Sequence, residues 1–411
     1  MKRIIRFIMI ILSQNLYSQT KVTELAKCLE EHSEDPKEYI LNLFKTNDIV
    51  IIGERDHRDT LQYDLLLEII EDKRFIEEVG HVYTEVGCIN RTNWANEVIK
   101  ATYDSDDEFE KELIKLYREL DFTPLWEKYN MYKYLKGIYD INKNLESSKK
   151  ISIGLTDISF DWKDINRNKY LDFERGLNTS RHHRDSIMAM NFIKLFGSQV
   201  YRNGTKKALL IQSFPHAINL NLNSYGIDYR SAGSYVVEKY KDKVKIVAFN
   251  SVYFGKYNSQ NWNLIDDGRW DAAYDLFLCK NVGFDILNTP FGNTKFEEGY
   301  RIDFEKQFDI QLKYEDIIDG ILFYRPFYDF ECTIGIPNIV DKNFSKELIN
   351  RVIIYQDRFL NRFWLSFLKF YYKKSIAKYY NTKQTFHPYN KKSLKDQMNK
   401  WIENNNTIPD N

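Results

Sequence analysis

Ile49-Val50-Ile51-Ile52-Gly53-Glu54-Arg55-Asp56-His57 runs four apolar, mostly β-branched residues into a glycine, a carboxylate and, three residues on, a histidine. A short apolar run closed by glycine reads as a buried strand. Leu61, Leu65, Leu66, Ile69 and Ile70 follow at helical spacing, so residues 59–72 read as an amphipathic helix. A strand running into a helix opens a crossover unit, and open α/β sheets bind ligands beyond the carboxyl ends of their strands. Glu54 and His57 are therefore expected at a ligand-binding edge.

The same punctuation recurs along the chain. His81–Glu85 ends on a carboxylate, Ile151–Asp157 ends on another, and Ala208–Gln212 leads through Ser213-Phe214-Pro215 to His216. Lys245–Phe249, Gly283–Leu287 and Gly320–Tyr324 supply three further strands. Strands separated by helical patterns predict an α/β fold with a largely parallel central sheet and helices on both faces. The polar span 91–145 is too long for one crossover helix and reads as a helical insertion within an α/β domain over 20–340. Residues 345–380 give one long helical pattern, a C-terminal extension whose aromatic face (Phe359, Phe363, Trp364, Phe367, Phe370, Tyr371) is expected to pack on the chain's own core. The polar tail over 381–411 is expected to be poorly ordered at its end.

Totals narrow the function. Hydrophobic residues make up 43% of the chain, enough for a large core, while 59 basic and 59 acidic side chains cancel. That balance argues against nucleic acid as a partner. No apolar stretch is long enough for a membrane span. Lys2, Arg3 and Arg6 flank the apolar Phe7–Leu12, and Leu16-Tyr17-Ser18-Gln19 resembles a cleavage region, so residues 1–19 read as a signal peptide and the protein as exported. Cys28, Cys88, Cys279 and Cys332 show no C-x-x-C spacing, which suggests neither a zinc knuckle nor a redox pair.

Position sorts the seven histidines. His32 and His387 sit in polar surroundings and read as surface residues, and His81 opens a strand, on the wrong edge of the sheet. His57, His182, His183 and His216 remain, where strand ends and a helix converge. Glu54, His57, Glu85 and His216 facing one cleft would give a histidine base with a carboxylate to hold its tautomer, and a second histidine or arginine to stabilise an oxyanion. The same four side chains also suit a divalent metal. Singly, each has an ordinary explanation: a helix cap for Glu54, a helix start for His57, a salt-bridge partner for Glu85. The weight lies in three successive strands ending on acids and a fourth leading to a histidine. On the helix after residue 180, Arg184, Met188 and Asn191 share a face at i, i+4, i+7, as if a polar tip leaned into that cleft.

In this order Gly53-Glu54-x-x-His57, Glu85, Arg184-Asp185-x-x-Met188-Ala189-x-Asn191 and the strand leading to His216 resemble the erythromycin esterase-like proteins. Ser231-Ala232-Gly233-Ser234 and Asp319-Gly320-Ile321-Leu322-Phe323 are similar to the same family, and the resemblance spans roughly 45–330. It implies an α/β core with helical additions, in a wider superfamily that includes haem-binding lipoproteins and Tiki/TraB-type metalloproteases. It further implies a hydrolase acting on a small-molecule ester or lactone without a required cofactor. His57 would be the base, flanked by Glu54 and Glu85, and His216 would polarise the carbonyl. Arg184 would be a structural or substrate-orienting cation; by their positions Arg58, His183 and Asp157 are expected as further substrate contacts, with Arg58 standing in for an arginine the family has at residue 60. The superfamily also implies two alternatives: a metal-dependent hydrolase or peptidase using Glu54, His57, Glu85 and His216 as ligands, and a non-catalytic binder of haem or another small ligand. The chain departs from the family at Arg58, where a glycine is usual, at Thr60, where an arginine is usual, and at Ser213, where a second histidine is usual.

Overall fold

The computed structural model, described for residues 21–177, 183–223, 226, 229–254, 262–296, 311–356 and 362–406, is built around the strand Ile49–Glu54 (β1), buried at every position. Among the described residues two helices precede it, Val22–His32 (α1) and Pro36–Leu43 (α2). Thr60–Ile70 (α3) leads to His81–Cys88 (β2). Between β2 and Ser152–Asp157 (β3) lie three helices, Thr92–Lys100 (α4), Asp106–Arg118 (α5) and Tyr129–Asn142 (α6). Arg167–Leu177 (α7) and His183–Ser198 (α8) connect β3 to Ala208–Ser213 (β4). The short turn of helix Phe214–Ala217 (α9) and then Ala232–Tyr240 (α10) lead to Val244–Phe249 (β5). A hairpin of Val252–Phe254 (β6) and Trp262–Leu264 (β7), the helix Arg269–Leu276 (α11), Val282–Asp285 (β8) and Gly320–Phe323 (β9) complete the α/β core.

Seven strands form one sheet in the order β3-β2-β4-β1-β5-β9-β8. β1 pairs in parallel with β4 on one side and β5 on the other. β8 runs antiparallel to β9 at the edge, so the sheet is largely parallel. A parallel strand covered on both faces needs an apolar residue at every position, which is why the opening run does not alternate. Val50 and Ile52 enter one core with α3 and the helices α4–α6. Ile49 and Ile51 enter a second core with α8, α10 and α11. Each such side chain contributes about 1.5–3 kcal/mol by leaving water.

The C-terminal part differs from the sequence reading. The span 345–380 is two helices, Phe344–Gln356 (α12) and Arg362–Asn381 (α13), with residues 357–361 and Phe359 among them outside the described residues. The side chains of residues 362–370 are also outside them, so the aromatic face expected there is described only from Tyr371 on. Tyr371 is 55% exposed, while Tyr372, Ile376 and Tyr380, at i, i+4, i+8, pack on the first core. The polar tail carries two elements, Gln384–Phe386 (β11) and Lys391–Asn406 (α14), and β11 pairs with Cys332–Ile334 (β10). His387 is not a free surface residue: one ring nitrogen meets the Tyr389 carbonyl and the other the Phe327 carbonyl, each at 2.9 Å. No described helix is long and apolar enough to cross a membrane. The signal-peptide reading falls on residues 1–20, outside the described residues.

Candidate active site

Strand order brings the chemistry together. β3, β2, β4 and β1 are neighbours in the sheet; Asp157, Ser213 and Glu54 close β3, β4 and β1, whereas Glu85 lies inside β2, which runs on past the expected end through Val86, Gly87 and Cys88. Glu54 continues the row of Ile52 on the face of the first core, and Glu85 continues the row of Tyr83 on the face of the second. His57 reaches over the end of the sheet between them. Its Nδ1 meets Glu54 Oε1, and its Nε2 lies 3.2 Å from Glu85 Oε1.

Both carboxylates are buried and the imidazole is partly covered. Burial opposes a charged His57, but Glu54 and Glu85 outweigh it and hold the imidazolium up to about 10. Geometry gives the same answer. In either neutral tautomer one bare ring nitrogen would face a carboxylate oxygen, whereas the cation donates to both. Burial also opposes ionisation of Glu85, yet His216, His57 and Arg184 around it hold its carboxyl far below the usual range. Ser213 donates to Glu85 Oε2 from its backbone N–H at 2.7 Å and its hydroxyl at 3.0 Å. Tyr63, inside α3, donates to Glu54 Oε2 at 2.8 Å. Tyr63→Phe leaves that oxygen without its donor in a buried position and is expected to lower stability by about 1–3 kcal/mol. Urea denaturation checks this, and a loss under 0.5 kcal/mol would mean that Glu54 does not depend on α3.

The second half of the site hangs on α8. Arg184 donates from Nε to Asp157 Oδ1 at 3.0 Å and from Nη2 to Asp157 Oδ2 at 2.6 Å. Its Nη2 is 4.0 Å from Glu85, and its Nη1 is 3.5 Å from His216 Nε2. The face of Arg184, Met188 and Asn191 docks on the end of β3: Met188 is buried, and Asn191 donates to the Thr156 and Asp157 carbonyls at 2.9 and 3.2 Å. His216 Nδ1 donates to Asp185 Oδ1 at 2.7 Å, and the Ala232 backbone N–H donates to the same oxygen at 2.9 Å. Burial opposes charge on His216, but Glu85 and Asp185 raise its pKa above the ordinary histidine value while Arg184 opposes them. Gly233 lets α10 approach this turn, because a Cβ there would overlap the Ala217 carbonyl.

Some residues named from the sequence do other work. Asp157 is fully buried and spends both oxygens on Arg184, so it orients that side chain rather than facing a substrate. Arg58 pairs with Asp56 at 2.7 Å and lies over the Phe386 ring at 5.6 Å, with no contact to the two histidines. The His183 side chain lies outside the described residues, as does His182. A groove of about 740 Å³ beside α14, lined by Asn263, Asp267, Gln397 and Trp401 among others, contains none of the site residues.

Other residues join without a clear mark in the sequence. Arg55 locks the turn that carries His57: it pairs with Asp59 and donates to Asn250 Oδ1 and the Tyr324 carbonyl, each at 3.0 Å, beyond the ends of β5 and β9. From the insertion, Trp126 meets His57 edge-on, with ring centroids 5.2 Å apart. Asp121 is buried near Asp157 and Arg184, where burial and Asp157 push its carboxyl up to about 6. Asp185 stands in the motif that carries the family resemblance but has no role implied there, and Tyr63 has no mark in the sequence.

Among the described residues no group of three or more His, Cys, Asp and Glu side chains is placed to hold a metal ion. The donor set does not fit one: His57 offers a ring nitrogen to each of two carboxylates, and His216 Nδ1 is bound to Asp185. Haem fits His57 no better, since no ring nitrogen is left to act as an axial ligand.

No family model and no curated protein matches the chain. Solved structures similar to it include a protein from Bacillus cereus, 13% identical, with a TM-score of 0.50 over 74% of this chain and 97% of that one. A succinoglycan biosynthesis protein is 11% identical, with a TM-score of 0.48 over 74% and 97% of the two chains. An erythromycin esterase mutant in its open conformation is 12% identical, with a TM-score of 0.37 over 69% and 92%. At 13% identity, the likeness to the Bacillus cereus protein is one of fold.

Proposed function

We propose that the chain is a hydrolase that cleaves a carboxylic ester or lactone by direct attack of water, with His216 as the proton acceptor. The observation that carries this reading is the opposite hydrogen bonding of the two histidines. His57 has a carboxylate at each nitrogen and holds two protons. His216 has a carboxylate at Nδ1 only, and its Nε2 faces Arg184, which can donate but not accept. A lone pair at Nε2 is therefore what the site favours once the pH exceeds the His216 pKa.

His216 Nε2 takes a proton from water as the oxygen attacks the carbonyl carbon. Asp185 fixes the tautomer and stabilises the imidazolium that forms, as the acid of a triad does. Arg184 Nη1, 3.5 Å from that nitrogen, is placed to donate to the carbonyl oxygen as it gains negative charge. When the tetrahedral intermediate collapses, the carbon–oxygen bond to the alcohol breaks and His216 returns its proton to the leaving oxygen. The His57 cation keeps Glu54 and Glu85 fixed across the sheet end. This assignment moves the base from His57, where the family resemblance implies it, to His216, and gives the carbonyl oxygen to Arg184 in place of His216.

Initial rates on p-nitrophenyl acetate and a macrocyclic lactone, with and without a chelator, test the proposal. Turnover unaffected by the chelator is expected, and no turnover on either substrate counts against a hydrolase.

The pH profile tests the base. kcat/KM reports groups of the free enzyme, so the rate should rise with pH through a pKa above 6.5, the unperturbed histidine value, and level off before pH 10. Glu85 is the leading charge raising the His216 pKa. Glu85→Gln is therefore expected to move the midpoint to lower pH, whatever it does to the maximal rate. A profile that keeps rising to about pH 10 would assign the base to His57 instead.

A further inference from the structure

Cys332–Ile334 (β10) and Gln384–Phe386 (β11) pair antiparallel, with Cys332 opposite Phe386, Thr333 opposite Thr385 and Ile334 opposite Gln384. Two strands of three residues are marginal in water on their own. β10 has a second edge, and there it meets both the turn that carries His57 and the segment that covers it. Thr60 N–H donates to the Glu331 carbonyl at 2.9 Å, and Thr333 N–H donates to the Arg58 carbonyl at 2.8 Å. One step further on, Gly335 N–H donates to the Glu127 carbonyl at 2.9 Å, and Lys128 forms a bridge with Ile334. Backbone groups alternate sides along a strand. Those of Thr333 face the turn, so those of Cys332 and Ile334 face β11.

Trp126 stands edge-on to His57 from the segment that β10 holds. One short strand therefore sets the His57 turn against the residue packed on it. β11 closes the outer edge of that strand and also reaches past it to both neighbours. The Phe386 ring lies 5.6 Å from the Arg58 guanidinium carbon, and the Lys383 ammonium lies 4.1 Å from the centre of the Tyr129 ring at the start of α6. The hydroxyls of Thr60, Thr333 and Thr385 follow one another across the three segments at 3.0 and 3.2 Å.

We propose that β11 is a strap on the site. Paired with β10, it holds the His57 turn and residues 126–128 as one body; lifted off, it releases both together. Its effect on turnover rests on the hydrolase reading of the site, whereas the coupling of tail to turn does not.

Native-state hydrogen exchange of the full chain at rising urea, read by NMR, tests the coupling. In wild type the amides of Thr60, Thr333, Gly335, Gln384 and Phe386 are expected to open as one unit, before those of Ile51 and Ile52 in β1. Gln384→Pro removes a backbone donor that faces β10, at an exposed residue. Exchange at Thr60 and Gly335 should then quicken by about tenfold, the equivalent of one backbone hydrogen bond, and kcat/KM on p-nitrophenyl acetate should fall by a similar factor. Gln384→Ala keeps the N–H and should match wild type in both. If wild type cleaves no ester, the hydrolase reading fails, and the exchange data still decide the coupling. If Gln384→Pro does not fold, the wild-type exchange decides alone. Gln384 and Phe386 opening while Thr60 and Gly335 stay protected with β1 overturns the proposal. So does a folded Gln384→Pro protein with unchanged exchange at Thr60 and Gly335, or one with faster exchange there and an unchanged rate in an active enzyme.

Discussion

Arg184→Met is expected to lower stability by about 3–5 kcal/mol, the usual cost of breaking a buried ion pair from one side. The reason is the company Arg184 keeps. Asp157 is fully buried and accepts both of its near hydrogen bonds, Glu85 lies 4.0 Å away, and Asp121 is buried close by. Without the guanidinium these acids lose their shared cation, and Asp157 must take a proton or be left as an uncompensated buried charge. Arg184→Lys should recover only part of the loss, because an ammonium cannot reproduce the bidentate pairing. Equilibrium urea unfolding of the three proteins gives the comparison. A methionine variant within 1 kcal/mol of wild type would show that Asp157 does not depend on this cation.

His216→Gln is expected to reduce kcat by about 10²–10⁴-fold, the range for removing a general base. Stability should change far less. The glutamine amide can still donate toward Asp185, so the carboxylate is not abandoned, but the side chain cannot carry a proton between water and leaving group. His57→Gln should behave in the reverse way. It removes the cation that separates Glu54 from Glu85, so its principal effect is on folding. Measuring kcat and unfolding free energy for both variants distinguishes the roles. A fall in kcat of less than tenfold in His216→Gln, with a larger one in well-folded His57→Gln, would restore His57 as the base.

Much of this architecture is legible in the sequence because β1 is buried on both faces and its composition says so. The acids that close β1 and β3 are legible because each ends an apolar run, whereas Glu85 is followed by three more buried residues of β2. That Glu54 and Glu85 flank the end of one strand, where His57 bridges them, follows from β4 lying between β2 and β1, which no local pattern encodes. Ring direction is also invisible in sequence. Spacing places both His57 and His216 at the sheet edge, but only their partners show that one carries a carboxylate on each nitrogen.

The residues that were missed lack a periodic signal. Asp121 and Trp126 belong to a polar span between helices, where nothing marks one acid or one indole from the rest. Asp185 belongs to the motif that carries the family resemblance, but nothing in the sequence shows that it pairs with His216. The tail's polar composition gives no sign of the elements it carries. Its order comes from distant contacts, the pairing of β11 with β10 and the two carbonyls that hold His387. Arg58 gives the opposite lesson. It stands two residues from Asp56, and that pairing turns it away from the cleft where the sequence reading had placed it.

The central claim is that one histidine is locked as a cation between two strand-end carboxylates while the other is left to accept a proton. A ¹⁵N NMR titration of the imidazole nitrogens, with His57→Gln and His216→Gln for assignment, measures it without reference to any substrate. His216 is expected to lose its Nε2 proton first as pH rises, while His57 stays doubly protonated through neutrality and titrates at about 10. A neutral His57 at pH 7 beside a still-charged His216 would contradict it.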